Sequence, residues 1–412
     1  MIIDIQIYLN TETELIKYMK CRISKKKAHV FLDLGKMPLA NGFIKKNQTR
    51  KEYFFRLKVA FSKKLSLFQI SNNPSPNKMF NKNYPFYTSS SNLMKEHFNK
   101  FAKFVKKKYL NKNSLIVELG SNDGTFLLNF DKKKSYGYEP SKSVHDVAKK
   151  KGIQSFNEFF NLKNTNKLKK NYKNFDLVVG SNVFCHIPNQ IELIKTIDKL
   201  LSQNGTIILE EPYLGSMYKK ISYDQIYDEH IYMFSLSSVE KIYRLFDFEL
   251  IDAYPQKTHG GSMRYILKRK GIAKKSKKLI KLLKLERKKN IDNLNGCQKF
   301  KLNVETSKIK LNKKINKILS RGEKICGYGA TSKSTTILNY CKIDNKMIDC
   351  IFDTTPDKIN KVTPGTHIPI KDHKHFKKSK YKNVFLFAWN HKKEILKKEK
   401  NTKNIQWFSH LS

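Results

Sequence analysis

Between residues 106 and 270 the chain alternates short apolar runs with amphipathic stretches. Runs at 114–119, 135–139, 175–180, 205–210, 248–254 and 263–268 are bounded by polar or glycine-containing turns, and they predict strands. Strands alternating with helical stretches predict a parallel α/β sheet. The last two runs lie close together and predict an antiparallel hairpin at its end. Residues 1–105 differ: β-like runs at 29–34, 54–61 and 65–70, separated by turn clusters such as 72–77, predict a small irregular β-rich domain. Residues 271–322 lack proline, and Leu279, Ile280, Leu282, Leu283 and Leu285 predict one or two linker helices with solvated lysine faces. Residues 323–412 return to the α/β pattern, with strands at 324–327, 348–352 and 384–388 and a helix from Ser332.

Composition narrows this picture. A chain of 412 residues with 39% hydrophobic and 12% aromatic residues builds ordinary cores, which excludes wholesale disorder. Lys+Arg number 82 against 35 Asp+Glu, a formal charge of +47, which first points to nucleic acid or an anionic membrane. The lysines are spread instead over 25–27, 106–108, 132–134, 149–151, 377–382 and 397–400, in stretches rich in asparagine. That spread reads as AT-rich coding drift on solvated surfaces, so no nucleic-acid partner is expected. None of the six cysteines sits in a CxxC pair, and no uncharged apolar run reaches the roughly 20 residues of a membrane span. The start of the chain has no basic and apolar leader pattern. A reduced, cytoplasmic protein without a membrane partner is the expectation.

The most informative stretch is the apolar run ending in Glu118-Leu119, followed by Gly120-Ser121-Asn122-Asp123-Gly124. Glycines there let the backbone approach a ligand. The spacing is neither GxGxxG nor GxxxxGK[ST], and the acidic strand end suits a charged amino-acid tail better than a pyrophosphate. Some twenty residues on, Glu139 ends the next strand, where a carboxylate can accept both hydroxyls of a ribose. The third strand ends in Ser181-Asn182. By themselves these residues leave open a nucleotide-binding α/β domain of another kind. Together they resemble the class I S-adenosylmethionine-dependent methyltransferases. The resemblance implies a Rossmann-like fold and S-adenosylmethionine as cofactor. It assigns Glu118, Gly120, Ser121, Asn122 and Gly124 to the glycine-rich loop, Glu139 to the ribose, and Asn182 to the methionine end.

Further on, Tyr227-Asp228-Glu229-His230 brings a phenol, carboxyls and an imidazole together, which suits proton abstraction, although a polar surface loop would read the same way. His259-Gly260-Gly261-Ser262-Met263-Arg264, Gly327-Tyr328-Gly329-Ala330-Thr331-Ser332-Lys333 and Pro364-Gly365-Thr366-His367 follow. Earlier in the chain stand Leu39-Ala40-Asn41 and Tyr84-Pro85-Phe86-Tyr87-Thr88-Ser89. In this order the motifs are similar to the nucleotide-sugar C-methyltransferases of deoxysugar biosynthesis, over nearly the whole chain.

That resemblance implies a zinc-type N-terminal domain at 1–105, a methyltransferase domain at 106–270, a helical linker at 271–322 and a C-terminal Rossmann-like domain at 323–412. It also implies two CxxC pairs. Here they read Cys21…Ser24 and Ser62…Leu65, so three of four thiolates are missing and no zinc or other metal is expected. Phe86 stands where a tyrosine is usual, leaving Tyr84 or Tyr87 to contact substrate. The implied reaction methylates a ring carbon beside the ketone of a nucleotide-activated keto-deoxysugar, through an enolate. His230 is the expected base, Glu229 its partner or the alternative base, and Tyr227 the oxyanion donor. His259, Ser262 and Arg264 would position substrate, and Lys333 would meet the diphosphate. A redox dinucleotide at the Gly327–Lys333 loop competes with that last reading. Methylation at N or O of another small molecule or glycan precursor, or a basic RNA-binding methyltransferase, are the alternative activities.

Overall fold

The structure, a computed structural model, describes residues 18–75, 87–166, 168, 174–399 and 404–411; Tyr84 and Phe86 lie outside them. The N-terminal strands β1 (Tyr18–Lys20), β2 (Lys27–Pro38), β3 (Phe54–Ser62) and β4 (Leu67–Ile70) form an antiparallel meander. The central strands β5 (Ile116–Leu119), β6 (Ser135–Tyr138), β7 (Gln154–Phe156), β8 (Phe175–Ser181) and β9 (Leu201–Pro212) are parallel to one another. Strand β10 (Tyr232–Met233) returns to the first sheet and pairs antiparallel with β4. Strands β11 (Phe248–Gln256) and β12 (Ser262–Arg269) complete the central sheet in the order β11-β12-β9-β8-β5-β6-β7. A third, all-parallel sheet has the order β15-β14-β13-β16-β17, from β13 (Ile325–Tyr328), β14 (Ile351–Asp353), β15 (Ile370–Asp372), β16 (Asn383–Leu386) and β17 (Gln406–Phe408).

Buried on all four positions, β5 shows why it reads as a continuous apolar run: a central parallel strand is covered on both faces. Helix α1 (Asn92–Tyr109) covers one face with Met94, Phe98, Phe101, Ala102 and Val105, a 3.6-residue stripe. Ser91 caps it by accepting from the Met94 amide. The expected hairpin is present, and β12 lies antiparallel between β9 and β11. Some bounds differ from expectation. β9 spans Leu201–Pro212, beyond the apolar run, because Leu201 already pairs with Phe175 of β8 before an irregularity in the register. β14 begins at Ile351; residues 348–350 of the apolar run follow a turn at 345–347 and lie outside the strand.

Helices α2 (Lys142–Lys150), α3 (Gln190–Leu200), α4 (Leu214–Lys220) and α5 (Leu236–Arg244) belong to the central unit. After it come α6 (Lys277–Lys288) and α7 (Leu294–Leu319), in the stretch expected to hold one or two linker helices with solvated lysine faces. Their lysine faces are solvated and their apolar faces pack as a strut: Phe300 of α7 stacks on Tyr218 of α4 with ring centroids 4.8 Å apart, and Phe68 of β4 meets both rings. The C-terminal unit adds α8 (Ser332–Cys341) and α9 (Lys392–Lys398). Among the described residues no helix is long and apolar enough to cross a membrane.

Glu286 shows how far α6 is integrated. Only 1% exposed, it accepts from the Leu236 amide (2.7 Å), Tyr213 Oη (2.8 Å), and the Ser237 amide and hydroxyl (3.0 and 2.9 Å). It thereby satisfies the open N-terminus of α5. Glu286→Ala is expected to cost about 2–4 kcal/mol in urea denaturation, because four buried donors lose their acceptor at once. An unchanged midpoint would show that the strut bears no load.

Candidate active site

Strand order reverses between β5 and β8, so the loops leaving their carboxyl ends diverge and open a crevice. A cavity of about 1030 Å³ fills it and extends to the N-terminus of α8. That volume accommodates two small molecules side by side.

The loop after β5 forms the first wall. Gly120 has φ +62°, and a Cβ there would lie 2.8 Å from Val183 Cγ2. Asn122 and Asn182 are also left-handed, at φ +48° and +54°, which asparagine tolerates. Asn122 N–H donates to Glu139 Oε2 (3.0 Å), and Ser141 N–H donates to Oε1 (2.7 Å), which aims Glu139 into the cavity. Burial raises the Glu139 carboxyl, opposed by those amides. Glu118 is pushed well above the ordinary carboxylate range by burial, then by Asp123 and Glu139. Glu118 Oε2, Ser121 Oγ and Asn182 Oδ1 are buried without a hydrogen-bond partner. Gly124 lies outside the lining; at φ +76°, a Cβ there would lie 2.9 Å from Ile153 Cγ1 and 3.3 Å from Ala148 Cβ of α2, so it serves the packing of that helix. A lid of 87–90 closes over this wall: Thr88 donates from N and Oγ1 to Asn122 Oδ1, and Ser89 N to Asp123 Oδ2 (2.8 Å). Tyr87 lines the cavity from this lid.

Tyr227, Glu229 and His230 converge on the opposite wall. His230 Nδ1 lies 2.6 Å from the Gln225 carbonyl, and Nε2 lies 2.9 Å from Tyr227 Oη. A carbonyl only accepts, so Nδ1 carries the proton and Nε2 accepts the phenolic hydrogen. Burial, then Lys333, lowers His230 to about 4, so the imidazole is neutral. Glu229 is held by Asn41 Nδ2 (2.7 Å), so the hydrogen-bond partner of His230 is Tyr227 rather than the expected Glu229. Burial first, and the Asp228 carboxyl second, raise Glu229. Asp228 accepts from the amides of Ala40, Asp228 and Glu229. Of two close carboxyls one ionises first; the three amides make that one Asp228, and Glu229 keeps its proton.

Among the other expected substrate residues, His259 and Lys333 line the cavity. His259 sits at φ +50°, burial lowers it to about 3, and its Nε2 is buried without a partner. Ser262 and Arg264 do not reach the lining. Ser262 donates to the Thr258 carbonyl, and Arg264 is locked on Glu210 (2.6 and 2.9 Å) and stacked 3.6 Å over Phe101, with His97 on the same carboxylate. In register opposite Glu210 on β9, Arg264 is aimed at α1 and clips that helix to the sheet. Cavity residues not anticipated from the sequence include Asn41, His186, whose ring stacks on His230 at 5.3 Å, and Lys358, which donates to the Ala330 carbonyl. The basic residue after β14 was the signal available for Lys358; His186 carried none.

This fold, with its acid-ended strand, left-handed loop, ribose-type carboxylate and buried unpaired acceptors, defines a class I S-adenosylmethionine-dependent methyltransferase. Comparison with known proteins agrees. Family models match in chain order: a zinc binding domain at 21–80, a methyltransferase domain at 91–253 and a C-methyltransferase C-terminal domain at 257–409. Together the three models span most of the chain, which is similar to C-methyltransferases in this order of domains. It is 25% identical over 374 residues to the C-methyltransferase NovU of Streptomyces niveus, covering 90% of this chain and 89% of that protein. Among solved structures, magnesium protoporphyrin IX methyltransferase of Synechocystis PCC 6803 with bound SAM is 14% identical, covering 42% of this chain and 79% of that one, at TM-score 0.32. The plantazolicin methyltransferase BpumL in complex with SAH is 15% identical, covering 42% and 82%, at TM-score 0.33.

The residues present fit the cofactor: Glu118 and Asn182 offer unpaired acceptors to an ammonium, and Glu139 offers a carboxylate to hydroxyls. They do not fit zinc. Cys21 is the one thiol of the four positions; Ser24 and Ser62 are buried hydroxyls without partners, and Leu65 has no donor.

Gly120→Ala is expected to weaken S-adenosylmethionine binding more than about tenfold in calorimetric titration, with the circular dichroism spectrum unchanged. Unaltered affinity would place the cofactor elsewhere.

Proposed function

We propose that the protein transfers a methyl group to a ring carbon beside the ketone of a nucleotide-activated keto-deoxysugar. The observation that carries this reading is the Tyr227–His230 pair. It is dry, fixed in one tautomer, and set in the cavity that also holds the cofactor wall and two lysines. Methylation at an amine or hydroxyl makes less demand on such a base. A carbon beside a ketone becomes nucleophilic only when its proton leaves.

In this reading Tyr227 oxygen takes the carbon-bound proton while the phenolic proton passes to His230 Nε2. The Gln225 carbonyl stabilises the imidazolium that forms, through Nδ1–H. The electron pair of the broken C–H bond moves into the ring, and the ketone oxygen becomes an enolate. Glu229, a carboxylic acid, donates to that oxygen, and the buried His259 binds beside it. Tyr227, expected as oxyanion donor, is thus reassigned to proton removal, because its hydroxyl is committed to His230. Bound S-adenosylmethionine supplies the electrophilic methyl, and the electrons of the broken C–S bond stay on sulfur. Lys333 and Lys358, both lowered first by burial, face the cavity beside the N-terminus of α8 and suit a diphosphate. Tyr87 borders the sugar from the lid.

The test is solvent deuterium entry at the ring carbon of keto-deoxysugar nucleotides, followed by methyl transfer. Wild type is expected to do both. His230→Ala should lose about 10²–10⁴-fold in each while keeping cofactor affinity. Methyl transfer to nitrogen or oxygen without deuterium entry at carbon would overturn the proposal. A further expectation concerns pH. With His230 neutral down to about 4, activity should show no acid limb from imidazole titration between roughly pH 5 and 7. A limb near 6.5 abolished by His230→Ala would contradict that assignment.

A further inference from the structure

Asn41 comes from the N-terminal domain, just after β2, yet it lines the cavity. Its amide is held at both ends. Nδ2 donates to Glu229 Oε1 at 2.7 Å, and Oδ1 accepts from Ser332 Oγ at 2.9 Å, on the first residue of α8. Nδ2 donates to the glutamate and Oδ1 accepts from the serine, so both ends of the amide are paired. The backbone beside it is pinned too. Ala40 N–H donates to Asp228 Oδ1 at 3.0 Å, and Ala40 C=O accepts from Thr335 Oγ1 at 2.8 Å. Phe43 lies under the Lys358 ammonium at 4.9 Å. One short loop therefore touches the catalytic loop on one side and the lysine subsite on the other.

We propose that Asn41 is a positioning residue of methyl transfer, delivered by the N-terminal domain, which orients the Glu229 carboxylic acid and is itself oriented by Ser332. With Oε1 accepting from Asn41, the acid proton resides on Oε2, the oxygen left to meet the substrate. The inference rests on the reading above in which Glu229 donates to the enolate oxygen. It gives the N-terminal domain a task in the reaction that needs no metal, and it explains how the domain stays useful with three zinc thiolates absent.

The groups around Glu229 set the sign of its response. Asp228 faces it from its own loop, and Cys185 from the segment after β8. The N-terminal side contributes the neutral Asn41, and α8 the neutral Ser332, with Lys333 following it. A donor on Oε1 favours the carboxylate over the acid and holds the midpoint of Glu229 down. Removing that donor raises the midpoint. Activity that needs the acid form is lost as pH rises through the midpoint, so the basic limb of kcat moves up with it.

The test compares wild type, Asn41→Ala and Ser332→Ala, with glutamate labelled by carbon-13 at the carboxyl and the Glu229 signal identified by its loss in Glu229→Gln. The carboxyl is titrated by NMR without substrate, and kcat is measured against pH with a keto-deoxysugar nucleotide. Asn41→Ala is expected to raise the Glu229 midpoint by about one pH unit and to lower kcat about tenfold, with cofactor affinity unchanged. Ser332→Ala should move the midpoint the same way by less, and it keeps the test alive if Asn41→Ala does not fold. A fall in kcat with both midpoints unmoved would reduce Asn41 to a structural contact and overturn the proposal. If wild type methylates none of the keto-sugars, the functional reading fails, and the titration still decides whether Asn41 governs Glu229.

Discussion

Residues 223–230 bury Asp224, Asp228, Glu229 and His230 with almost no regular structure of their own. Buried polar groups are tolerated only when hydrogen-bonded, and here most partners come from outside the methyltransferase sheet. Asp228 and Glu229 are met by Ala40 and Asn41. Asp224 accepts from Trp389 Nε1 at 2.6 Å and pairs with His410. The Ile226 carbonyl accepts from Thr336, and Tyr223 meets Cys341. The dry, fixed Tyr227–His230 pair is thus a product of three domains meeting, and the rest of the architecture follows from holding them together.

Two devices do that holding. Strand β10 continues directly from this loop and pairs with β4, so the end of the loop is a strand of the N-terminal sheet. The strut of α6 and α7 crosses behind, with Phe300 joining Phe68 and Tyr218 in one aromatic cluster. Apolar packing of this kind replaces what metal ligation would contribute to a small domain, which is why the N-terminal sheet persists around a single buried thiol, Cys21.

The cofactor wall was legible in the sequence because its geometry is local. A strand with an acidic end and a loop with positive φ at Gly120 and Asn122 follow one another within ten positions. Tyr227 and His230 were legible for the same reason, three positions apart. Their roles were not. Nothing local tells that Tyr227 donates to His230, or that Glu229 turns away to a residue 188 positions earlier. Arg264 was misplaced likewise: its partner Glu210 lies 54 positions away, and only the β9–β12 register brings the two together. The helices after residue 271 read as amphipathic linkers with solvated lysine faces, and the buried Glu286 among those lysines gave no sign.

By itself, then, the sequence determined the alternation of elements, the glycine loop and its acids, and the chemical types available for catalysis. These depend on period, turn chemistry and short spacing. Tertiary structure alone decided which carboxyl keeps a proton, which nitrogen of His230 is the acceptor, and which lysines meet in one cavity. Protonation state and hydrogen-bond direction are set by burial and by partners distant in the chain, and those exist only once three sheets close around the same loop.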